Sequence, residues 1–190
     1  MLTIVCDVAD EKAVEEAFDK IKAELGVVHI LINNAALWRD SAPFLETSIE
    51  TWNKYLNINI MGVVYCTRAV LPDMIAAGYG RIVNVASVAG VYGNANMVHY
   101  SATKGAIISM THALAKEVAD KGITVNATSP GTVSPSNIDD YDHIQESSMN
   151  YMSRTGSNME NADLICFLAS DAASYISGQN IQIDGVRKKI

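Results

Sequence analysis

Tyr100 and Lys104 stand four residues apart in Tyr100-Ser101-Ala102-Thr103-Lys104. On a helix this spacing puts both side chains on one face, one turn apart. An ammonium about 4 Å from a phenol is worth roughly 4 kcal/mol at an effective dielectric near 20. That attraction is expected to lower the tyrosine pKa by up to about three pH units from ~10, towards neutrality. A tyrosine so tuned is a general acid/base suited to interconverting a carbonyl and an alcohol. The pair by itself is a weak signal, because any helix can carry it by chance as a surface pair.

Three further positions strengthen it. Ser87 ends an apolar run thirteen residues before Tyr100. A hydroxyl there can hydrogen-bond a substrate oxygen, although strand ends often carry serine as a turn or cap. Asn59 lies among Ile58, Ile60 and Met61 in a helical stretch, where asparagine fits poorly. Its amide is expected to order a water next to Lys104 and to link the site with solvent. Asn33-Asn34-Ala35-Ala36 follows an uncharged strand. Small residues there let a flat ligand come close; the alternative is an Asx turn.

The elements that must position these residues alternate along the chain. Leu2–Cys6 reads as a strand, Asp10–Leu25 as an amphipathic helix capped by Asp10 and Gly26, and Val28–Ile32 as a strand. A long helix is expected from Ser48 to Ala77, ended by Gly78. Arg81–Ala86 is the next strand, followed by a loop over Val88–Met97. Tyr100–Lys121 is a helix and Thr124–Ala127 a strand, and Thr132–Asn158 is a polar stretch containing Asp139-Asp140. Ala162–Ala169 (helix) and Asn180–Ile183 (strand) close the pattern, with a solvated tail at Arg187–Ile190. Asn158-Met159-Glu160 reads as a loop. Strands apolar on both faces and alternating with helices imply an α/β protein: a parallel sheet covered on both sides, with ligands past the carboxyl ends of the strands.

Composition narrows the function classes. The 190 residues are 49% hydrophobic and 18% charged, with a net charge of −7. This is one domain's worth of chain with enough apolar material for a core. So acidic a chain has no general electrostatic reason to bind nucleic acid or an anionic membrane. Cys6, Cys66 and Cys166 are too dispersed for a disulfide framework or a zinc site, and read as reduced core residues of a cytoplasmic protein. Met1–Val5 has no basic leader region, and no unbroken apolar run reaches the ~18 residues of a membrane span. Trp38, Tyr92, Met97, His99, Met149 and Met152 are candidates for an apolar substrate wall, or for ordinary loop packing. His99 reads as a bystander to Tyr100. The helices Ser48–Ala77 and Tyr100–Lys121 carry Val63, Val64, Ala69, Ile107, Ile108, Met110 and Ala113 all round their circumference. One buried face does not need so many, which implies a second packing partner.

Taken in order, Asn33-Asn34-Ala35-Ala36, Asn59, Ser87, Tyr100-x-x-x-Lys104, Ser129-Pro130-Gly131 and Gly178-Gln179…Asp184-Gly185 resemble the short-chain dehydrogenase/reductase family, in particular its 3-oxoacyl-acyl-carrier-protein-reductase-like members. The resemblance covers Leu2–Gly185. It implies a Rossmann-like doubly wound parallel sheet and a reaction moving hydride between NAD or NADP and a secondary alcohol or ketone, with a 3-oxoacyl thioester or a cyclic compound among the candidate substrates. It implies Tyr100 as acid/base, Ser87 as donor to the substrate oxygen, Lys104 on the nicotinamide ribose and Asn59 in a proton relay. It places Asp7 at adenine, Asn33 and Ala35 on the adenosine side, and Pro130, Gly131, Thr132 and Val133 beside the nicotinamide. It also implies a homodimer or homotetramer packed through the two long helices.

One family feature has no counterpart. The Gly-rich turn Thr-Gly-x-x-x-Gly-x-Gly, which receives the cofactor pyrophosphate at a helix N-terminus, occurs around none of the twelve glycines. By the resemblance the chain opens at the family's third strand. About 50 residues would then be missing, since a βαβ unit takes roughly 30. Residues 1–190 read as a single, incomplete Rossmann-like domain, truncated at its N-terminus with the first two strands absent. Leu2–Cys6 and Val28–Ile32 would flank a gap, and Val28–Ile32 would be an exposed apolar edge. Two functions follow from different classes: an NAD(P)-dependent oxidoreductase, or a catalytically silent fragment or pseudoenzyme serving as an oligomerisation module.

Overall fold

A computed structural model of the chain describes residues 1–134 and 144–188. Asp139-Asp140 and the last two residues of the tail lie outside the described residues. Among these, four strands form one parallel sheet in the order β1 (Ile30–Asn33), β2 (Gly80–Val85), β3 (Ile123–Pro130), β4 (Asn180–Ile183). The helices are α1 (Glu11–Leu25), α2 (Ile49–Leu56), α3 (Gly62–Ala77), α4 (Val88–Tyr92), α5 (Val98–Val118) and α6 (Asn158–Ala169).

Helix ends follow local chemistry. Asp10 accepts from the backbone N–H groups of Lys12 and Ala13, and Gly26 turns the chain out of α1 at φ 83°. Ser48 accepts from Thr51 N at the start of α2, and Gly78 ends α3 in the left-handed region. The expected helix Ser48–Ala77 is continuous, but a π-turn over Asn57–Met61 joins α2 to α3. Such turns often mark functional sites. Asn158-Met159-Glu160 is the first turn of α6 rather than a loop. Ser157 accepts from Glu160 N while the Glu160 carboxylate accepts from Ser157 N, a reciprocal cap.

The core sits on both faces of the sheet. Leu31, Ile82, Ile123 and Val125 pack with Val70 and Met74 of α3 and Ala115 and Val118 of α5. Val83, one residue along from Ile82, points the other way into Leu168 of α6 and Ala173. A buried polar seam crosses the first face. Asn33 Nδ2 donates to Asn84 Oδ1 (2.9 Å), Asn84 Nδ2 to Thr111 Oγ1 (2.9 Å), and Thr111 Oγ1 to the Ile107 carbonyl (2.9 Å). The seam ties β1, β2 and α5 together through buried side-chain hydrogen bonds.

Leu2–Cys6 is not a strand. It lies beside no pairing partner among the described residues, its exposure alternates, and Val5 is fully exposed. A strand needs a neighbour to satisfy its backbone groups. β1 is the edge expected of it: Ile30 and Ile32 are 47% and 37% exposed, because α6 covers β2 and β3 but not β1 on that face. The 29-residue helical run Ile49–Ala77 is long and apolar enough to cross a membrane by length and composition, although its apolar residues are not consecutive. Only 22% of its most apolar window is buried within this chain. Cys166 is exposed rather than in the core, and all three cysteines are free.

Candidate active site

The carboxyl ends of β2 and β3 and the first turns of α4 and α5 meet at one rim. Ser87 follows β2, is buried, and caps α4 by accepting from Ala89 N at 3.1 Å. Its hydroxyl is near enough to the phenol of Tyr100, in the first turn of α5, to draw the Tyr100 pKa down. Lys104, one turn further, is buried (4% exposed) and its Nζ donates to the Val85 carbonyl at 2.6 Å. The helix geometry thus brings Ser87, Tyr100 and Lys104 together.

The electrostatics differ from the expectation. Burial pushes the Tyr100 pKa up, and the Ser87 hydroxyl pulls it only part of the way back. Lys104 does not lower it. Its ammonium is drawn towards the Val85 carbonyl and sits 5.9 Å from the centroid of the Tyr100 ring, farther than a direct pair would need. Burial instead acts on Lys104 itself, lowering its pKa to about 8.

Asn59 is buried inside the π-turn, and its amide is spent elsewhere than on Lys104. Oδ1 accepts from Leu37 N (2.7 Å), while Nδ2 donates to the Leu37 carbonyl (2.9 Å) and to Thr103 Oγ1 (3.1 Å). Thr103 in turn donates to the Tyr100 carbonyl. Asn59 therefore fastens the loop after β1 to the helix that carries Tyr100 and Lys104. The Asn33 side chain is likewise committed to the core seam, because alternation along β1 turns it towards the helices. Only its backbone faces outward.

The remaining expected positions fall around the rim. A cavity of about 200 Å3 is lined by Val8, Asn33, Ala35 and Gly62 among others. Gly62 makes this approach feasible, since a Cβ there would lie 2.9 Å from the Val8 side chain. Asp7 is exposed beside Val8 and its carboxylate accepts from Ala9 N. Pro130 ends β3, and Gly131 packs so tightly on Asp184 that a Cβ would come within 2.8 Å of it. Val133 pairs with Gly156 in an isolated bridge. Tyr92, Met97 and Met149 line a cavity of about 650 Å3; Trp38, His99 and Met152 do not. His99 is buried, edge-on to Tyr55 at 4.3 Å. The described part of the tail is not fully solvated: Arg187 and Lys188 are half-buried and folded against residues 94 and 149–151.

Sequence reasoning missed Gly90. A Cβ there would stand 2.5 Å from the Lys104 carbonyl carbon and 2.7 Å from Gly105 N. Only glycine lets α4 lie this close to α5, which sets Ser87 against Tyr100. The signal was present in the run Ser87-Val88-Ala89-Gly90, whose small residues precede the helix.

Among the described residues no cluster of His, Cys, Asp or Glu could hold a metal ion. Residues 1–185 match the family profile described as enoyl-(acyl carrier protein) reductase. The chain is 38% identical over 190 residues to 2-dehydro-3-deoxy-L-rhamnonate dehydrogenase (NAD(+)) of Sphingomonas sp. (strain SKA58), covering 97% of this chain and 75% of that protein. It is 39% identical over 184 residues to the 3-oxoacyl-acyl-carrier-protein reductase FabG of Thermotoga maritima, covering 95% and 74%. Among solved structures, ElxO with NADP bound matches with a TM-score of 0.86 at 33% identity, over 94% of this chain and 75% of that one. NAD+-bound xylitol dehydrogenase matches with a TM-score of 0.86 at 33% identity, over 96% and 77%.

Proposed function

The chain belongs to the short-chain dehydrogenase/reductase family, and from that premise we propose that it is an NAD(P)-dependent oxidoreductase interconverting a secondary alcohol and a ketone. The observation that carries this reading is the gathering of buried Ser87, Tyr100 and buried Lys104 at the sheet rim, where α4 packs against α5 and Lys104 is tied to the end of β2. A bound nicotinamide would supply the hydride acceptor or donor. In the oxidative direction the alcohol gives up its hydroxyl proton to Tyr100 and its carbinol hydrogen as hydride, leaving the ketone; reduction runs the reverse. Ser87 holds the substrate oxygen within reach of the phenol. Tyr100 needs a lowered pKa to take that proton at neutral pH, and a ribose diol drawing Lys104 towards the phenol is the route we infer.

The residues fit the two ends of a dinucleotide. Among the described hydrogen bonds, Lys104 Nζ uses one donor on Val85, and its remaining donors suit ribose hydroxyls. Pro130, Gly131, Thr132 and Val133 would flank the nicotinamide, and Asp7, Ala35 and the Asn33 backbone the adenosine. The pyrophosphate-binding glycines have no counterpart in the sequence, and no residue here is assigned that part. Asn59's amide is fully engaged, so its share in a relay would fall to its backbone. We also propose that Ile49–Ala77 and α5 pair with a second copy, supported by the low burial of the apolar window. Sedimentation at micromolar concentration should find a dimer or tetramer, and a monodisperse monomer defeats this part. A cytoplasmic location fits the same reading.

The test is to titrate NAD(H) and NADP(H) and follow nicotinamide fluorescence, then to measure ketone-dependent oxidation of the reduced form. Saturable binding with turnover supports the oxidoreductase. Binding of neither cofactor favours the second reading, a silent oligomerisation module, for which the missing glycine turn is the motivating observation.

A further inference from the structure

The 650 Å3 cavity is lined by Tyr92, Asn94, Met97 and Met149 together with Arg187 and Lys188. In a chain of net charge −7, this lining carries two cations and, among the described residues, no carboxylate. The cations are held in place. Lys188 N donates to the Met149 carbonyl at 2.9 Å, Tyr151 N donates to the Val186 carbonyl at 3.0 Å, and Arg187 bridges Asn150. Arg187 Nη2 donates to Asn94 Oδ1 at 2.8 Å, a neutral acceptor. None of the ion pairs among the described residues includes Arg187. A half-buried guanidinium therefore keeps its full charge and most of its planar donor fork for a ligand, beside apolar groups that weaken solvent screening.

The cavity also lies next to the chemistry. Met97 immediately precedes α5, three residues before Tyr100, and Tyr92 ends the short helix that Ser87 opens. We propose that this cavity takes the acidic end of a small hydroxy- or keto-acid substrate, its carboxylate docked on Arg187 with Lys188 adding charge. The proposal rests on the oxidoreductase reading, in which the alcohol or ketone carbon of the same molecule faces Ser87 and Tyr100. A small acid is favoured over an acidic protein partner on two grounds. The guanidinium is set into a cavity rather than displayed on the surface, and the chain's own negative charge repels an acidic macromolecule.

The test uses a panel of hydroxy acids of about three to six carbons, each paired with its uncharged methyl ester. Binding is read by calorimetry with and without NAD(P)+, and turnover is followed alongside. The native chain should bind its best acid at least ~10-fold more tightly than the matching ester. Arg187→Gln should erase that preference while leaving ester affinity unchanged, which a general loss of structure would not do. Arg187→Lys should keep most of the preference. If no acid in the panel outbinds its ester, or if Arg187→Gln retains the preference, the proposal is overturned. Turnover of acids and esters alike would defeat the carboxylate site and leave the oxidoreductase reading standing. Carboxylate-selective binding without turnover would do the opposite.

Discussion

The sharpest consequence of the site's electrostatics concerns Lys104 and pH. Its side chain is buried, and its pKa falls from 10.5 to about 8 because burial disfavours the ammonium. At about 1.4 kcal/mol per pH unit, that drop from 10.5 to about 8 amounts to about 3 kcal/mol of destabilisation wherever both states are protonated. The sign follows from proton counting. Between about 8 and 10.5 the unfolded chain holds a proton on this lysine that the folded chain has released, so stability rises with pH across that window. Below about 8 the cost is present in full. Lys104→Met removes the titration together with one charged hydrogen bond to Val85, so the offset between the two proteins at a single pH mixes several effects. The change in that offset isolates the lysine. Urea unfolding near pH 7 and near pH 9.5 should show the variant losing about 2 kcal/mol of stability relative to the native chain on going to the higher pH. An offset that stays constant within about 0.5 kcal/mol would mean that Lys104 is solvated or already paired, and that burial does not govern the site.

Three further outcomes follow. Tyr100→Phe should lower turnover by at least ~100-fold while leaving cofactor affinity nearly unchanged, since only the ionisable hydroxyl is lost; a full-rate variant removes Tyr100 from the mechanism. Gly90→Ala should cost about 1–3 kcal/mol in chemical denaturation and lower turnover as well, because the added methyl meets the Lys104 backbone at 2.5 Å and forces α4 off α5. Glu160, held at a pKa of about 2 by Arg154 and by the Ser157 backbone, contributes stability that is complete above its ordinary value of 4.5 and is lost as pH falls through about 2. Glu160→Gln should therefore cost about 1 kcal/mol near neutrality, after screening of a partly exposed pair, and the difference should shrink in acid thermal melts.

Much of this protein is written in local sequence. Periodicity placed the four strands and five of the six helices to within a few residues, because each element's apolar spacing is set by its own geometry, whereas α4 (Val88–Tyr92) is expected as part of a loop and is too short to show a period. Asp10, Ser48, Gly26 and Gly78 marked helix ends through short-range hydrogen bonds and left-handed backbone that neighbours along the chain dictate. The four-residue spacing of Tyr100 and Lys104 placed them on one helix face without reference to the rest of the fold. Tertiary structure decided what those residues experience. Leu2–Cys6 has the composition of a strand, yet strand formation is a property of a pair, and no described strand pairs with it. Asn33 is expected on the adenosine side and Asn59 beside a water next to Lys104, and packing turns their amides into a core seam and a loop clasp. The Tyr100 pKa moves up rather than down, because burial outweighs a lysine whose ammonium is held by a strand carbonyl nineteen residues earlier in the chain. Desolvation and hydrogen-bond partners are set by residues distant in sequence, so spacing names the groups and only the folded packing fixes their charge.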